Sequence, residues 1–115
     1  MTKGIIVIKP KLLAFLSANF AQAMALYPFI LVKDENCACN TNLINHERIH
    51  LRQQIEMLIL PFYLVYALEY LYRRLQKKNH YAAYRHISFE REAYANENNE
   101  NYLQSRRFWN FLKWT

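Results

Sequence analysis

The chain has 115 residues, enough for one packed core and too few for two. Hydrophobic residues make up 53% of it and charged residues 21%, and a single glycine and three prolines exclude disordered, collagen-like and turn-dense all-β architectures. Fifteen Lys and Arg against nine Asp and Glu give a net charge of +6, which permits contact with nucleic acid or an anionic membrane without demanding either.

In chain order, the β-branched run 4–8 reads as a short strand before Pro10. Lys3, Lys9 and Lys11 ahead of the apolar run 12–18 sketch a secretory signal, but Asn19 and Gln22 interrupt it, and a short amphipathic helix over 11–22 is the expected element. Residues 25–33 read as one strand, placed at a sheet edge because Pro28 has no N–H to give a ladder. Residues 34–42 read as a polar loop. It carries Cys37 and Cys39, too close in sequence for an unstrained disulfide and lacking the second pair that a cysteine zinc site needs.

Residues 43–60 form the most informative segment. At about 100° per residue, Ile44, Leu51, Ile55 and Leu58 share a core arc, and Asn45, Arg48, Arg52 and Glu56 share a solvent arc. The remaining arc holds Leu43, His46, Glu47, His50, Gln53, Gln54 and Met57, a polar stripe beside a core stripe that fits the floor of a cleft. Residues 57–72 are strongly apolar and read as a core helix restarted at Pro61. The run is shorter than a membrane span and carries Glu69, and the basic residues Arg73, Arg74, Lys77 and Lys78 follow it. Peripheral membrane contact through 57–78 is the alternative use of this segment. Residues 79–87 form a Tyr- and His-rich connection, Ser88 is positioned to cap a helix over 89–103, and 106–115 read as a short basic, aromatic closing helix.

The chemistry sits in His46-Glu47-Arg48-Ile49-His50, an H-E-x-x-H sequence. On a helix, positions i and i+4 lie one above the other, so both imidazoles can reach one metal ion. The glutamate between them stands next to that ion and can deprotonate a water held there. A catalytic zinc takes three protein ligands and keeps one position open, so a third ligand must come from elsewhere. Glu90 and Glu92 are the candidates, and being two apart on a helix they face different ways. Glu90 is preferred, sharing its face with Tyr94 and Glu97, while Ala93 permits close helix approach.

His46-Glu47-Arg48-Ile49-His50 followed by Glu90-Arg91-Glu92-Ala93-Tyr94 resembles the gluzincin-type zinc metallopeptidases, and the length is closest to the single-domain minigluzincins. The resemblance implies a mostly helical α+β, zincin-like single domain over 1–115, with residues 1–22 as a helical, pro-like segment. The resemblance also implies zinc (Zn2+) held by His46, His50 and Glu90, Glu47 as general base, and a strand above the cleft that pairs with extended peptide substrate, for which 29–33 is the counterpart. Relatives carry Glu-x-x-Ala-Asp; here Tyr94 stands in place of the aspartate, so the pattern leaves the first histidine without its usual partner. Tyr81, Tyr84, His86 and Tyr94 are the available donors to an oxyanion, and Gln53 and Gln54 are placed to orient the histidines.

The expected function is therefore zinc-dependent hydrolysis of peptide bonds in a peptide or protein substrate. A zinc-stabilised, non-catalytic or latent scaffold of the same fold is the alternative. Basic residues are scattered over several elements without a nucleic-acid-binding motif, so nucleic acid is not an expected partner. A cytoplasmic location, with contact to a membrane surface, fits this reading, and the residues leave the oligomeric state open.

Overall fold

The computed structural model describes residues 4–76 and 78–115; Lys3 and Lys77 lie outside the described residues. The chain is α+β and mostly helical. The described elements run β1 (Ile5–Ile8), α1 (Pro10–Ser17), β2 (Ala23–Leu26), β3 (Phe29–Val32), α2 (Glu35–Ala38), α3 (Thr41–Glu56), α4 (Leu60–Leu75), α5 (His80–Arg85), α6 (Ser88–Asn96), α7 (Tyr102–Ser105) and a closing 3-10 helix (Asn110–Trp114).

The strand expected over 25–33 is instead a hairpin. The chain turns at a cis Tyr27–Pro28 peptide, so Pro28 falls between strands, where it need not donate. β2 pairs antiparallel with β3, and β1 pairs parallel with it, in the order β1-β3-β2. β3 is thus central. Its unbroken Phe-Ile-Leu-Val run, with Ile30, Leu31 and Val32 all buried, is the pattern of a strand covered on both faces. The edge strands are β1 and β2, which corrects the placement of 29–33 at the edge.

α1 stops at Ser17, short of the expected Gln22, because Ala18 and Asn19 take up left-handed backbone. Asp34 caps α2 inside the expected loop by accepting from the Cys37 N–H, and both cysteines are free. Asn40 caps α3 in the same way through the Leu43 N–H. α6 ends at Asn96 rather than near residue 103. Ser88 is its first helical residue, not its cap; the Glu69 carboxylate reaches over from α4 and accepts both the Ser88 N–H and its hydroxyl.

The apolar core has two parts. One joins the sheet to α3 through Ala25, Ile30, Val32, Ile44 and Leu51; the other joins α4, α6 and the closing helix through Phe62, Ile87, Phe89 and Phe111. The α3 arcs need correction. Ile55 and Leu58, expected in the core, are exposed, while Asn45 and Glu56, expected in solvent, are buried. α4 also departs from the core-helix expectation: only Phe62 is fully buried on it, and it leaves α3 at a bend of 113°. No single helix among the described residues is long and apolar enough to cross a membrane.

Gly4, the sole glycine, sets the entry to β1. Its φ is +87°, and a Cβ there would stand 2.6 Å from Leu51 Cδ1 and 3.0 Å from Ile30 Cδ1. Gly4→Ala combines an unfavourable backbone conformation with pressure on the sheet–α3 core, and is expected to lower unfolding free energy by about 1–3 kcal/mol in urea titration.

Candidate metal centre

α3 and α6 cross with their polar faces together, and the H-E-x-x-H residues meet the acidic face of α6 at the bottom of a cleft of about 670 Å³. His46 Nε2 lies 3.1 Å from His50 Nε2, and Glu90 Oε1 lies 3.0 Å from each. All three residues are buried. Ligand atoms about 2.1 Å from a tetrahedral zinc stand roughly 3.4 Å apart, so this triangle needs to open by only a few tenths of an ångström to take one.

The outer nitrogens decide what the triangle presents. His46 Nδ1 is 2.8 Å from the Glu97 carboxylate, which only accepts, so that nitrogen carries the hydrogen. His50 Nδ1 is 2.8 Å from Gln53 Oε1. The Gln53 amide is oriented by two acceptors on its other side, its Nε2 donating to Phe89 O and to Glu92 Oε1, so His50 Nδ1 must also be the donor. Two neutral imidazoles held this way aim Nε2 lone pairs at each other and at an anionic oxygen. Such a convergence is repulsive unless a cation sits in it, a metal ion or protons.

The titration directions agree. Burial opposes a charge on His46, but hydrogen bonds to Glu90 and Glu97 outweigh it and push the imidazole up to about 10. His50 moves up in the same way against its burial, through the Glu90 charge. Glu90 is held well below the usual carboxylate range by the two histidines despite its burial. Its second oxygen accepts from the Tyr66 hydroxyl at 2.6 Å.

Glu47 lines the same cleft and is buried. Burial raises its pKa, while the histidines and the backbone N–H of Ala25 in β2 pull the other way. A carboxyl poised by these opposing effects is suited to take and return a proton. β2 lines the cleft through Ala23, Met24 and Ala25. Gln54, expected to orient a histidine, instead fastens β2 to α3: it accepts from the Tyr27 N–H and donates to Ala25 O, which Tyr63 also reaches.

The structure brings Glu90, and not Glu92, to the two histidines. Glu92 points away from the triangle into a buried pair with Arg106 and accepts from Gln53 and Tyr102. Arg106 also pairs with Glu56 at the end of α3. A continuous polar chain thus runs from His50 through Gln53 and Glu92 to Arg106 and Glu56.

Sequence reasoning missed several contributors. Glu97 supplies the partner that Tyr94 does not, one turn further along the face shared with Glu90, a spacing of seven that was legible. Asn45 donates to the carbonyls of Asn96, Glu97 and Asn99, tying the end of α6 to α3 beside His46; nothing in its sequence position marks that role. Tyr63 and Tyr66 join Tyr81, Tyr84 and Tyr94 in lining the cleft. His86 does not reach it: that side chain is exposed, with Nδ1 on the Ala82 carbonyl. Tyr84 and Tyr94 share a hydroxyl–hydroxyl hydrogen bond of 2.7 Å, and the Tyr94 ring packs edge-on against His46.

Comparisons with protein-family models, curated proteins and solved structures return no match, so the chemistry is argued from these residues alone.

Two outcomes are expected. Protein purified without added metal should carry one zinc per chain by elemental analysis, lost in His46→Ala and Glu90→Gln. In Glu97→Gln, zinc should bind about ten- to a hundredfold more weakly in chelator competition. The Glu92 carboxylate carries a different signature. Burial alone would raise it, but hydrogen bonds from Arg106, Tyr102 and Gln53 lower its pKa below the ordinary 4.5. Its stabilisation is therefore complete above that value and is lost as pH falls through the lower folded value. Glu92→Gln should lower stability by about 3 kcal/mol at neutral pH, and the gap should shrink below pH 4.5 in urea unfolding.

Proposed function

We propose that this protein is a zinc-dependent metallopeptidase with a gluzincin-type, zincin-like layout, in which His46, His50 and Glu90 hold the metal and Glu47 is the general base. One observation carries the reading: two imidazoles locked with Nδ1–H outward and one carboxylate oxygen converge at 3.0–3.1 Å beside a buried glutamate. Two histidines and one glutamate are a donor set that catalytic zinc uses with a fourth position open. Zinc bound there would supply a Lewis acid that polarises a carbonyl and makes water acidic near neutral pH.

The chain's own residues divide the remaining work. Glu47 takes the proton of the attacking water and returns it to the leaving amine. β2 is an edge strand along the cleft, but its Ala25 and Tyr27 backbone groups are taken by Glu47, Gln54 and Tyr63, so what it can offer an extended peptide lies toward Ala23. Tyr81 and one hydroxyl of the Tyr84–Tyr94 pair are available to a developing oxyanion, since the Tyr66 hydroxyl is committed to Glu90. Glu97, Gln53 and the Glu92–Arg106 pair keep both imidazoles in the tautomer a metal requires.

The latent reading also has an observation in its favour. Phe20, between α1 and β2, packs against His80 at 4.5 Å and Tyr84 at 5.0 Å, and all three residues line the cleft. This aromatic bridge joins two walls and narrows the access of substrate.

Cleavage of a peptide library followed by mass spectrometry tests both readings. The zinc-loaded wild type should cut, and Glu47→Gln should reduce cutting by about a thousandfold or more while keeping its zinc. Cutting that is unaltered in Glu47→Gln overturns the mechanism. A wild type that cuts only after Phe20→Ala assigns the latent form.

A further inference from the structure

We infer that the outer face of α4 docks on an anionic membrane surface. Leu60, Leu64, Leu68, Leu71 and Leu75 fall within an arc of about 80° on this helix, at roughly 100° per residue. Phe62, Tyr66 and Glu69, which face the body of the protein, lie on the opposite side. Each of the five leucines is between 55% and 82% exposed. A leucine row on the solvent side of a helix is the reverse of the pattern that solvent imposes, and a contiguous apolar patch of this kind marks a contact surface.

The turn before α4 extends the patch. Leu58 and Ile59 have φ of 59° and 62°, and the Leu60 N–H bonds the Leu58 carbonyl at 2.7 Å, a strained three-residue turn. Apolar side chains are costly in such backbone, where glycine or asparagine would be cheap. The turn nonetheless holds Leu58 at 79% exposed, next to Leu60.

Charge selects the occupant. Glu69 is the only acid between Met57 and Gln76, and it is turned inward to Ser88. Arg73 and Arg74 end the helix, Lys78 follows, and none of the three has an ion pair among the described residues. A second copy pressed against this face would bring cations with no acids to meet them. Anionic lipid headgroups supply the missing countercharge while the acyl boundary takes the leucines. The row spans about 22 Å, less than a hydrocarbon core, so the helix lies on the surface rather than crossing it. This inference does not depend on the metal centre.

Flotation of the full chain with vesicles of phosphatidylcholine, with and without about a third phosphatidylserine, tests it. The chain should float with the anionic vesicles. Leu64→Gln/Leu68→Gln/Leu71→Gln should lower its partition coefficient roughly tenfold or more, and Arg73→Gln/Arg74→Gln about tenfold, with circular dichroism unchanged because the leucines face solvent and the arginines bond only Gln76 and Tyr70 nearby in the same segment. Protein left at the bottom with the anionic vesicles overturns the inference, as does undiminished flotation of the leucine variant. Equal flotation with uncharged vesicles overturns the role of charge. A leucine-dependent dimer in sedimentation equilibrium, without vesicle binding, assigns the face to a second copy instead.

Discussion

The molecule is organised around an electrostatic conflict. Two imidazole lone pairs and a carboxylate oxygen are held about 3 Å apart in a buried place, and only a cation relieves them. Such a cluster does not hold together by its own contacts, so the surroundings must enforce it. Glu97 and Gln53 fix the imidazoles from behind, Glu92 and Arg106 fix Gln53, and Asn45 fastens the end of α6 that carries Glu97. Much of the buried polarity of this small chain serves that one arrangement.

The apolar framework explains how so many buried polar groups are tolerated. The sheet and α3 share one core, α4, α6 and the closing helix share another, and the His46–His50–Glu90 cluster lies where α3 and α6 meet. The Arg106 ion pairs sit beside the second core. A buried ion pair contributes little net stability, but its geometry is demanding, and here that geometry places Gln53. β2 is held against α3 by Gln54, with Tyr63 of α4 on the same Ala25 carbonyl, so the strand that lines the cleft is positioned in part by the helix that carries the histidines.

α4 shows a different constraint. Its inner face is committed to Phe62, Tyr66 and Glu69, and Glu69 caps α6. Its outer face is as apolar as its inner one. A helix apolar all round is normally buried on all sides, and this one is covered by the protein on one side only. Hydrophobicity alone therefore reads as a core helix, and the single-sided packing is what turns the segment into a surface.

The sequence by itself determined the mixed, mostly helical class and the helix that sets His46 and His50 on one face, because composition and a 3.6-residue period act locally. It also carried the preference for Glu90, through helical facing and resemblance to a known pattern. Only the tertiary structure decided that 25–33 is a hairpin with β3 inside the sheet, since a proline in an apolar run is compatible with either an edge or a turn. Only it revealed that Asn45 and Glu56 are buried, because the elements that cover them, the end of α6 and Arg106, lie some fifty residues further along the chain. The same distance separates His46 from Glu97. Periodicity assigns a residue to a face, but what meets that face is set by packing between elements remote in sequence, which no local pattern encodes.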